Sequence, residues 1–265
     1  MKPLSVLFST CCAAVALSLA APAAHAADTL DSVKSSGVLK IGIEGTYPPF
    51  GYRNEKGELE GFDIDVARAL AARLGVKPQF IAVEWSGIIA GLQAGKFDVI
   101  VNQVTITPQR REAIDFSQPY LYSAAQLIQR ADDPHDYGAP GALNGRKIGV
   151  TLGTNFADLA KTIPGVTVLT YPGAPEKLRD VAAKRVDASM DDRLMLPYLI
   201  KTSNLPLKPG ATVKGGETQM GIPVRKGNPK FSAAVDNALN TLRQDGTLTK
   251  ISVRWFGADY TKPGA

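Results

Sequence analysis

Two similar segments in different parts of the chain constrain its fold more than any other feature. Residues 94–103 read AGKFDVIVNQ and residues 183–192 read AKRVDASMDD. Each combines a helix end, a basic residue, an apolar residue, an aspartate and a predicted strand. Similar strands alternate with helices along most of the chain, which is typical of parallel sheets. The sequence therefore predicts an α/β protein with two lobes of similar design, each a mostly parallel sheet flanked by helices.

The first lobe is predicted from strands and helices that alternate from residue 38 onward. The apolar runs VLKIGI, PQFIAV and FDVIVN predict strands. A helix between the first two is indicated by apolar residues four positions apart: Phe62, Val66, Leu70 and Leu74. We expect Gly75 to end this helix and Ser86 to cap the next one, GIIAGLQA.

The second lobe is predicted from a similar series. The runs RKIGVTL, VTVLTY and RVDASM predict strands, and NFADLAKTI and APEKLRDVAAK predict helices between them. Two helices follow, FSAAVDNALNTLRQDG and LTKISVRWFG, and we expect Thr247 to cap the second. Asp98 and Asp187 occupy the same position in the two repeated segments, and we interpret both as structural partners of turns.

Two apolar segments bracket the second lobe and predict a hinge. SAAQLIQR (123–130) precedes it and QMGIPVRKG (219–227) follows it. If they lie side by side as extended strands, the chain passes to the second lobe and returns through a two-strand connection. We therefore assign residues 27–125 and 222–265 to the first lobe and residues 126–221 to the second.

The first 26 residues have the pattern of a signal peptide. Lys2 precedes an apolar run from Leu4 to Ala20, and Ala24-His25-Ala26 supplies the small residues that signal peptidase requires. Cleavage after Ala26 is therefore predicted, and the mature chain is expected to be a free, exported protein.

The composition of the mature chain excludes several classes of function. The leader contains both cysteines and one of the 30 basic residues, so 25 acidic residues leave a formal charge of +4, with His135 as the only histidine. Without cysteine and with one histidine, the mature chain lacks the residues for a zinc site and for Ser-His-Asp or Cys-His catalysis. It also has no phosphate-binding or calcium-binding loop motif. The basic residues are scattered, which argues against nucleic acid. No cofactor and no metal are predicted.

A set of motifs in the same order along the whole mature chain resembles a known family. They are GTYPPF, GFDIDVARALAARLG, VEWSGIIAGLQAGKFDVIVNQVTITPQR, DFSQPYLYS, IGVTLGTN, RVDASMDDR and LRQDGTLTKISVRWFGADYTK. The chain is similar to the polar amino-acid-binding proteins that supply bacterial ABC importers, and most similar to their L-cystine-binding members. The resemblance implies a type II periplasmic binding protein fold and a monomer in the periplasm. It also implies that the chain binds an amino acid between its lobes and delivers it to an inner-membrane ABC permease.

The resemblance also implies how each end of the amino acid is held. Burying a carboxylate or an ammonium is costly unless each is paired and hydrogen-bonded. Arg110 matches the family's carboxylate clamp, and its planar guanidinium suits two parallel hydrogen bonds. Asp192 matches the ammonium-binding aspartate. The other implied ligand-binding residues form one loop in the first lobe and one strand-to-helix turn in the second: Gln103, Val104 and Thr105, and Gly153, Thr154 and Asn155.

Three further positions are implied to surround the ligand's side chain. Tyr47 and Trp85 match positions where aromatic rings cover it. Glu44 matches a position where relatives that bind cationic side chains have a carboxylate, and in a cystine-binding protein it could meet the second ammonium.

Structural interpretations of the same residues stay open. Arg110 could be a solvated helix residue, Tyr47 and Trp85 ordinary core aromatics, and Thr154 and Asn155 helix caps. A shift of one residue in the matching would exchange Asp191 and Asp192. Glutamine or another polar amino acid is an alternative ligand. A cyclohexadienyl dehydratase-like enzyme on the same fold, or a sensor domain, is an alternative function.

Overall fold

The chain folds into two five-stranded sheets, each with helices packed on it. The structure, a computed structural model, describes residues 28–264. The predicted signal peptide and its cleavage after Ala26 lie outside the described residues. Within residues 28–264, the helices are all too short or too polar to cross a membrane.

The first sheet and its helices form what we call the first lobe. Its strands are β1 (Val38–Ile43), β5 (Lys77–Ala82), β6 (Val99–Ile100), β7 (Asp115–Phe116) and β13 (Pro223–Val224). Their spatial order is β5-β1-β6-β13-β7. A small antiparallel sheet contains β2 (Thr46–Tyr47), β3 (Gly51–Arg53) and β4 (Leu59–Glu60). The helices are α1 (Thr29–Ser36), α2 (Phe62–Arg73), α3 (Ile88–Gln93), α4 (Pro108–Ala113), α8 (Pro229–Gln244) and α9 (Thr247–Phe256).

The second sheet and its helices form the second lobe. Its strands are β8 (Leu121–Arg130), β9 (Lys147–Thr151), β10 (Thr167–Tyr171), β11 (Ala188–Asp192) and β12 (Leu207–Met220). Their spatial order is β10-β9-β11-β8-β12. The helices are α5 (Asn155–Lys161), α6 (Ala174–Ala182) and α7 (Leu196–Thr202). The predicted α/β lobes are therefore present, and β11 extends past the predicted strand to include both Asp191 and Asp192.

The two lobes share a parallel arrangement around their central strands. β1 pairs in parallel with β5 and β6, and β9 pairs in parallel with β10 and β11. Asp98 accepts a hydrogen bond from the Lys40 backbone N–H at 2.9 Å, and Asp187 accepts one from the Lys147 backbone N–H at 2.8 Å. Each aspartate joins the turn before one strand to the start of the central strand, which confirms that both are structural.

Antiparallel strands complete each sheet where the chain passes between the lobes. β8 pairs with β12, with Leu121 opposite Met220 and Ser123 opposite Thr218. β7 leads into β8, and β12 leads into β13 of the first sheet. Two adjacent extended strands thus connect the lobes, but the predicted segments are offset: residues 123–130 lie opposite residues 207–218, and Gln219 and Met220 lie opposite Tyr122 and Leu121. The exact boundaries at residues 125/126 and 221/222 stay predictions.

Two predicted helix caps are wrong. A 3-10 turn at Trp85–Gly87 precedes α3, and the capping residue of α3 is Gly87. Ser86 therefore lies inside the turn and does not cap the helix. At α9 the capping residue is Gly246, which has a left-handed backbone (φ 77°), and Thr247 is already helical. Gly246 turns the chain directly from α8 into α9, which leaves no extended residue in which a threonine could cap.

Candidate functional site

A cleft between the two lobes collects polar side chains from the carboxyl ends of four strands. About 470 Å³ of space free of protein atoms, part of it open to solvent, belongs to this cleft. Glu44 follows β1, Gln103 and Thr105 follow β6, Thr154 follows β9, and Asp192 ends β11. Ligands of open α/β sheets bind at such strand ends. Eight of the predicted residues line the cleft: Glu44, Tyr47, Trp85, Gln103, Thr105, Thr154, Asn155 and Asp192.

The cleft also contains residues that the sequence analysis did not assign to it. They are Asn102, Thr151, Phe156, Ala174, Asp191 and Met220. Of these, Asn102 is the one that the sequence could have indicated, because it belongs to the polar run after β6. Its Oδ1 accepts the Glu44 backbone N–H at 2.9 Å and so joins the ends of β6 and β1.

The loop after β6 is held by a buried carboxylate in the first turn of α2. Gln103 has a left-handed backbone (φ 51°). Its backbone N–H donates to the Tyr120 hydroxyl at 3.1 Å, and that hydroxyl donates to Asp63 Oδ1 at 2.8 Å. Burial raises the pKa of Asp63 to about 7, against the lowering effect of hydrogen bonds from the Tyr120 hydroxyl and the Gln103 side-chain amide. Asp63 and Tyr120 thus fix the backbone of a predicted ligand-binding residue without lining the cleft.

Val104 supports this loop from the core. Its side chain is fully buried in an apolar cluster that includes Ile88 and Leu92. Its carbonyl accepts the Gly221 backbone N–H at 3.2 Å. Val104 therefore sits in the predicted loop, but its side chain faces away from the cleft.

Arg110 lies beside the cleft and contacts both lobes. The Thr107 side chain caps α4 by accepting the Arg110 backbone N–H at 3.2 Å. The guanidinium donates to the Thr105 carbonyl at 2.9 Å and to the Gly153 carbonyl of the second lobe at 3.3 Å. It also lies 5.4 Å from the centroid of the Trp85 ring. Burial lowers its pKa to about 10. Arg110 is thus half-buried and contacts both lobes, although Arg110 and Gly153 are not among the residues that line the cleft.

Asp192 presents a buried carboxylate with one oxygen unused. Its side chain is buried, and Oδ1 accepts hydrogen bonds from the Ser123 hydroxyl at 2.7 Å and the Leu194 backbone N–H at 2.9 Å. Oδ2 accepts none within the part of the chain that the structure describes. Burial raises the pKa of Asp192 to about 7. An ammonium group in the cleft would both satisfy Oδ2 and favour the ionised form.

Asp191 differs from its neighbour because both of its oxygens have partners. Oδ1 accepts hydrogen bonds from the Tyr47 hydroxyl of the first lobe and from the Asp192 backbone N–H. Oδ2 forms an ion pair with Lys177 of α6, which also donates to the Thr151 hydroxyl at 3.0 Å. Lys177 is only 1% exposed. Of the two adjacent aspartates, Asp192 is therefore the one with a free acceptor.

Thr154 and Glu44 line the cleft and also have structural contacts of their own. Thr154 caps α5 by accepting the Ala157 backbone N–H at 3.1 Å, so its capping interpretation holds while it also lines the cleft. Glu44 is half-buried and accepts the Thr46 hydroxyl at 3.1 Å. Burial raises its pKa above the ordinary value. The cleft thus combines hydrogen-bond acceptors for cations with a neighbouring guanidinium, which suits a small molecule carrying both charges.

Similarity to known proteins covers most of the chain. Residues 39–258 match the profile of the bacterial extracellular solute-binding proteins, family 3. Over 237 residues the chain is 39% identical to the L-cystine-binding protein TcyJ of Escherichia coli (strain K12), which covers 88% of each chain. TcyJ is thus a relative of nearly equal extent.

Two solved structures show the same two-lobed fold. One is an ancestral amino-acid-binding protein described as a precursor of cyclohexadienyl dehydratase, with a TM-score of 0.80, 34% identity and coverage of 87% of this chain and 100% of that one. The other is an ancestral arginine-binding protein bound to arginine, with a TM-score of 0.78, 36% identity and coverage of 83% and 99%.

The buried ion pair in the cleft gives a prediction about stability. We expect Lys177→Met to lower the free energy of unfolding by roughly 3–5 kcal/mol, because it leaves Asp191 buried without its cation. Urea denaturation of ligand-free protein measures this change. Lys161→Met is the matched control, since it removes an exposed lysine from its pair with Asp158 and should cost less than about 1 kcal/mol. Equal losses in both variants would contradict the argument.

Proposed function

The chain belongs to the bacterial extracellular solute-binding proteins of family 3, and from this premise we propose that it binds L-cystine between its lobes and delivers it to an ABC permease. In this proposal the mature protein is a monomer in the periplasm, and no bond is made or broken. The similarity to TcyJ favours cystine. The observation that carries the proposal is the unused Oδ2 of the buried Asp192 in a cleft shared by both lobes.

The two charged ends of an amino acid have complementary groups on this cleft. Asp192 accepts the ammonium, together with polar groups of the Gln103–Thr105 loop. Arg110 uses two of its five N–H donors on the Thr105 and Gly153 carbonyls, so others are left for a carboxylate. The N–H groups at the start of α5, after Gly153, favour the same negative end. Because both lobes touch one ligand, the ligand binds the closed arrangement better and shifts the equilibrium toward it.

Cystine differs from other polar amino acids in carrying a second ammonium and a second carboxylate. Glu44 supports the assignment of the second ammonium, since it is half-buried and has only a hydroxyl, that of Thr46, as a side-chain hydrogen-bond partner among the described residues. The arginine-binding ancestral structure keeps a second candidate open, because a cationic side chain would satisfy Glu44 equally well.

The enzyme alternative rests on a specific observation. The pKa of Asp192 is raised to about 7, which is the range of a general acid, and one structural neighbour is a precursor of cyclohexadienyl dehydratase. We favour binding because the rise in pKa comes from burial, and a bound ammonium would reverse it. A product assay with prephenate or arogenate distinguishes the two functions.

Binding itself is the first measurement. We expect a thermal-shift panel of amino acids plus cystine on unfolded and refolded protein to identify a ligand, which at about a hundredfold excess over its Kd adds about 2.7 kcal/mol. Arg110→Lys should weaken that ligand roughly ten- to hundredfold, because a lysine cannot form the two parallel bonds. Arg111→Lys, on an exposed neighbour, should change little. If no amino acid stabilises the protein, the proposed function fails.

Glu44 provides the test for cystine. Glu44→Gln should weaken cystine much more than glutamine, because only cystine brings a second ammonium to this carboxylate. Calorimetric titration of both ligands measures the difference. Glu84→Gln removes a nearby exposed carboxylate and serves as the control. Equal weakening of the two ligands by Glu44→Gln would end the assignment.

The raised pKa of Asp192 predicts that affinity depends on pH. In the free protein Asp192 is protonated below about pH 7 and must lose its proton to pair with an ammonium. The Kd should therefore rise by about tenfold for each pH unit as the pH falls from 7 toward 5. Calorimetry in buffers of different ionisation enthalpy should detect a released proton. A Kd that is constant over this range would show that Asp192 does not meet the ammonium.

A further inference from the structure

The contact between Tyr47 and Asp191 joins the two lobes beside the ligand-binding groups. The Tyr47 hydroxyl, on β2 of the first lobe, donates to Asp191 Oδ1 on β11 of the second. The Tyr47 ring stacks on Phe50 with centroids 5.3 Å apart and planes inclined by 18°. One end of the tyrosine is thus fixed by the core of its own lobe and the other by a carboxylate of the opposite lobe.

The acceptor of this contact is held from behind by a buried cation. Lys177 pairs with Asp191 Oδ2 and donates to Thr151, so α6, β9 and β11 of the second lobe position the carboxylate together. Lys177 and Asp191 are 1% and 2% exposed. A buried lysine requires a paired carboxylate, so Asp191 is already committed within its own lobe before any ligand binds. Its remaining oxygen is a charged acceptor on a buried side chain, where a hydrogen bond is stronger than in water.

We propose that Asp191, held by Lys177, is a positioning residue that anchors Tyr47 across the cleft and favours closure of the lobes without ligand. The contact forms only when the lobes meet. It therefore adds to the stability of the closed arrangement and keeps the Tyr47 ring over the space that the ligand occupies. The expected effect on cystine dissociation rests on the proposed function, whereas the expected effect on the ligand-free protein does not.

Tyr47→Phe is the most direct variant, because it removes the hydroxyl and leaves the ring and the Lys177–Asp191 pair in place. In ligand-free protein, small-angle X-ray scattering should give a larger radius of gyration than for the unaltered chain. With L-cystine as the probe, stopped-flow measurement should give a dissociation rate constant raised roughly ten- to hundredfold, the loss of a hydrogen bond to a charged acceptor.

The control is a tyrosine with the same chemistry inside one lobe. The Tyr171 hydroxyl donates to Asp180 Oδ2 at 2.8 Å, and both residues belong to the second lobe. Tyr171→Phe should leave the radius of gyration and the dissociation rate within about twofold of the unaltered values. Equal behaviour of the two phenylalanine variants would overturn the proposal.

A double-mutant cycle separates positioning from general damage to the structure. Replacing Asp191 by Leu and Lys177 by Met together removes both charges and avoids an unpaired one. In that background Tyr47→Phe should change scattering and dissociation rate by less than about twofold. If Tyr47→Phe has its full effect there, Asp191 is not its partner. If the unaltered chain binds no cystine, the proposed ligand fails, while the ligand-free scattering still decides the role of Asp191.

Discussion

The cost of burying charge governs the arrangement of this cleft. A carboxylate, an ammonium or a guanidinium removed from water must find a partner or change its ionisation. Asp191 and Lys177 pair with each other, while Asp63 is held by Tyr120 and Gln103 and has its pKa raised. Asp192 is satisfied on one oxygen only. Asp191 and Asp63 therefore have their partners within the protein, while the second oxygen of Asp192 is available to a bound molecule.

Much of the fold follows from local patterns. The apolar strands, the four-residue spacing in α2 and the repeated aspartates at positions 98 and 187 are each short-range signals, and the structure contains the strands, the helix and both aspartate contacts. The two wrong caps have a local cause as well. Ser86 and Thr247 are common capping residues, but at α3 a 3-10 turn places Gly87 at the capping position, and at α9 the left-handed Gly246 that follows α8 takes it.

The site was less predictable where contacts are distant in the chain. The positions after strands could be found, because a polar residue that follows an apolar run lies at the edge of a sheet. Lys177 could not. In APEKLRDVAAK it resembles any solvated lysine, and its burial depends on Asp191 and Thr151, which belong to other elements. Asp63 is similar, since only the fold brings α2 against Tyr120 and the Gln103 loop.

Two adjacent aspartates on one strand allow binding and closure to use different groups. In the proposed function Asp192 meets the ligand, while Asp191 meets the opposite lobe through Tyr47. A single carboxylate serving both purposes would have to exchange the tyrosine for the ammonium, so each would weaken the other. With two carboxylates, a ligand adds its own contacts to the interlobe contact that already exists. The affinity then depends on the fraction of ligand-free protein whose lobes are already closed. The larger this fraction is, the less of the ligand's binding energy is needed to close the lobes.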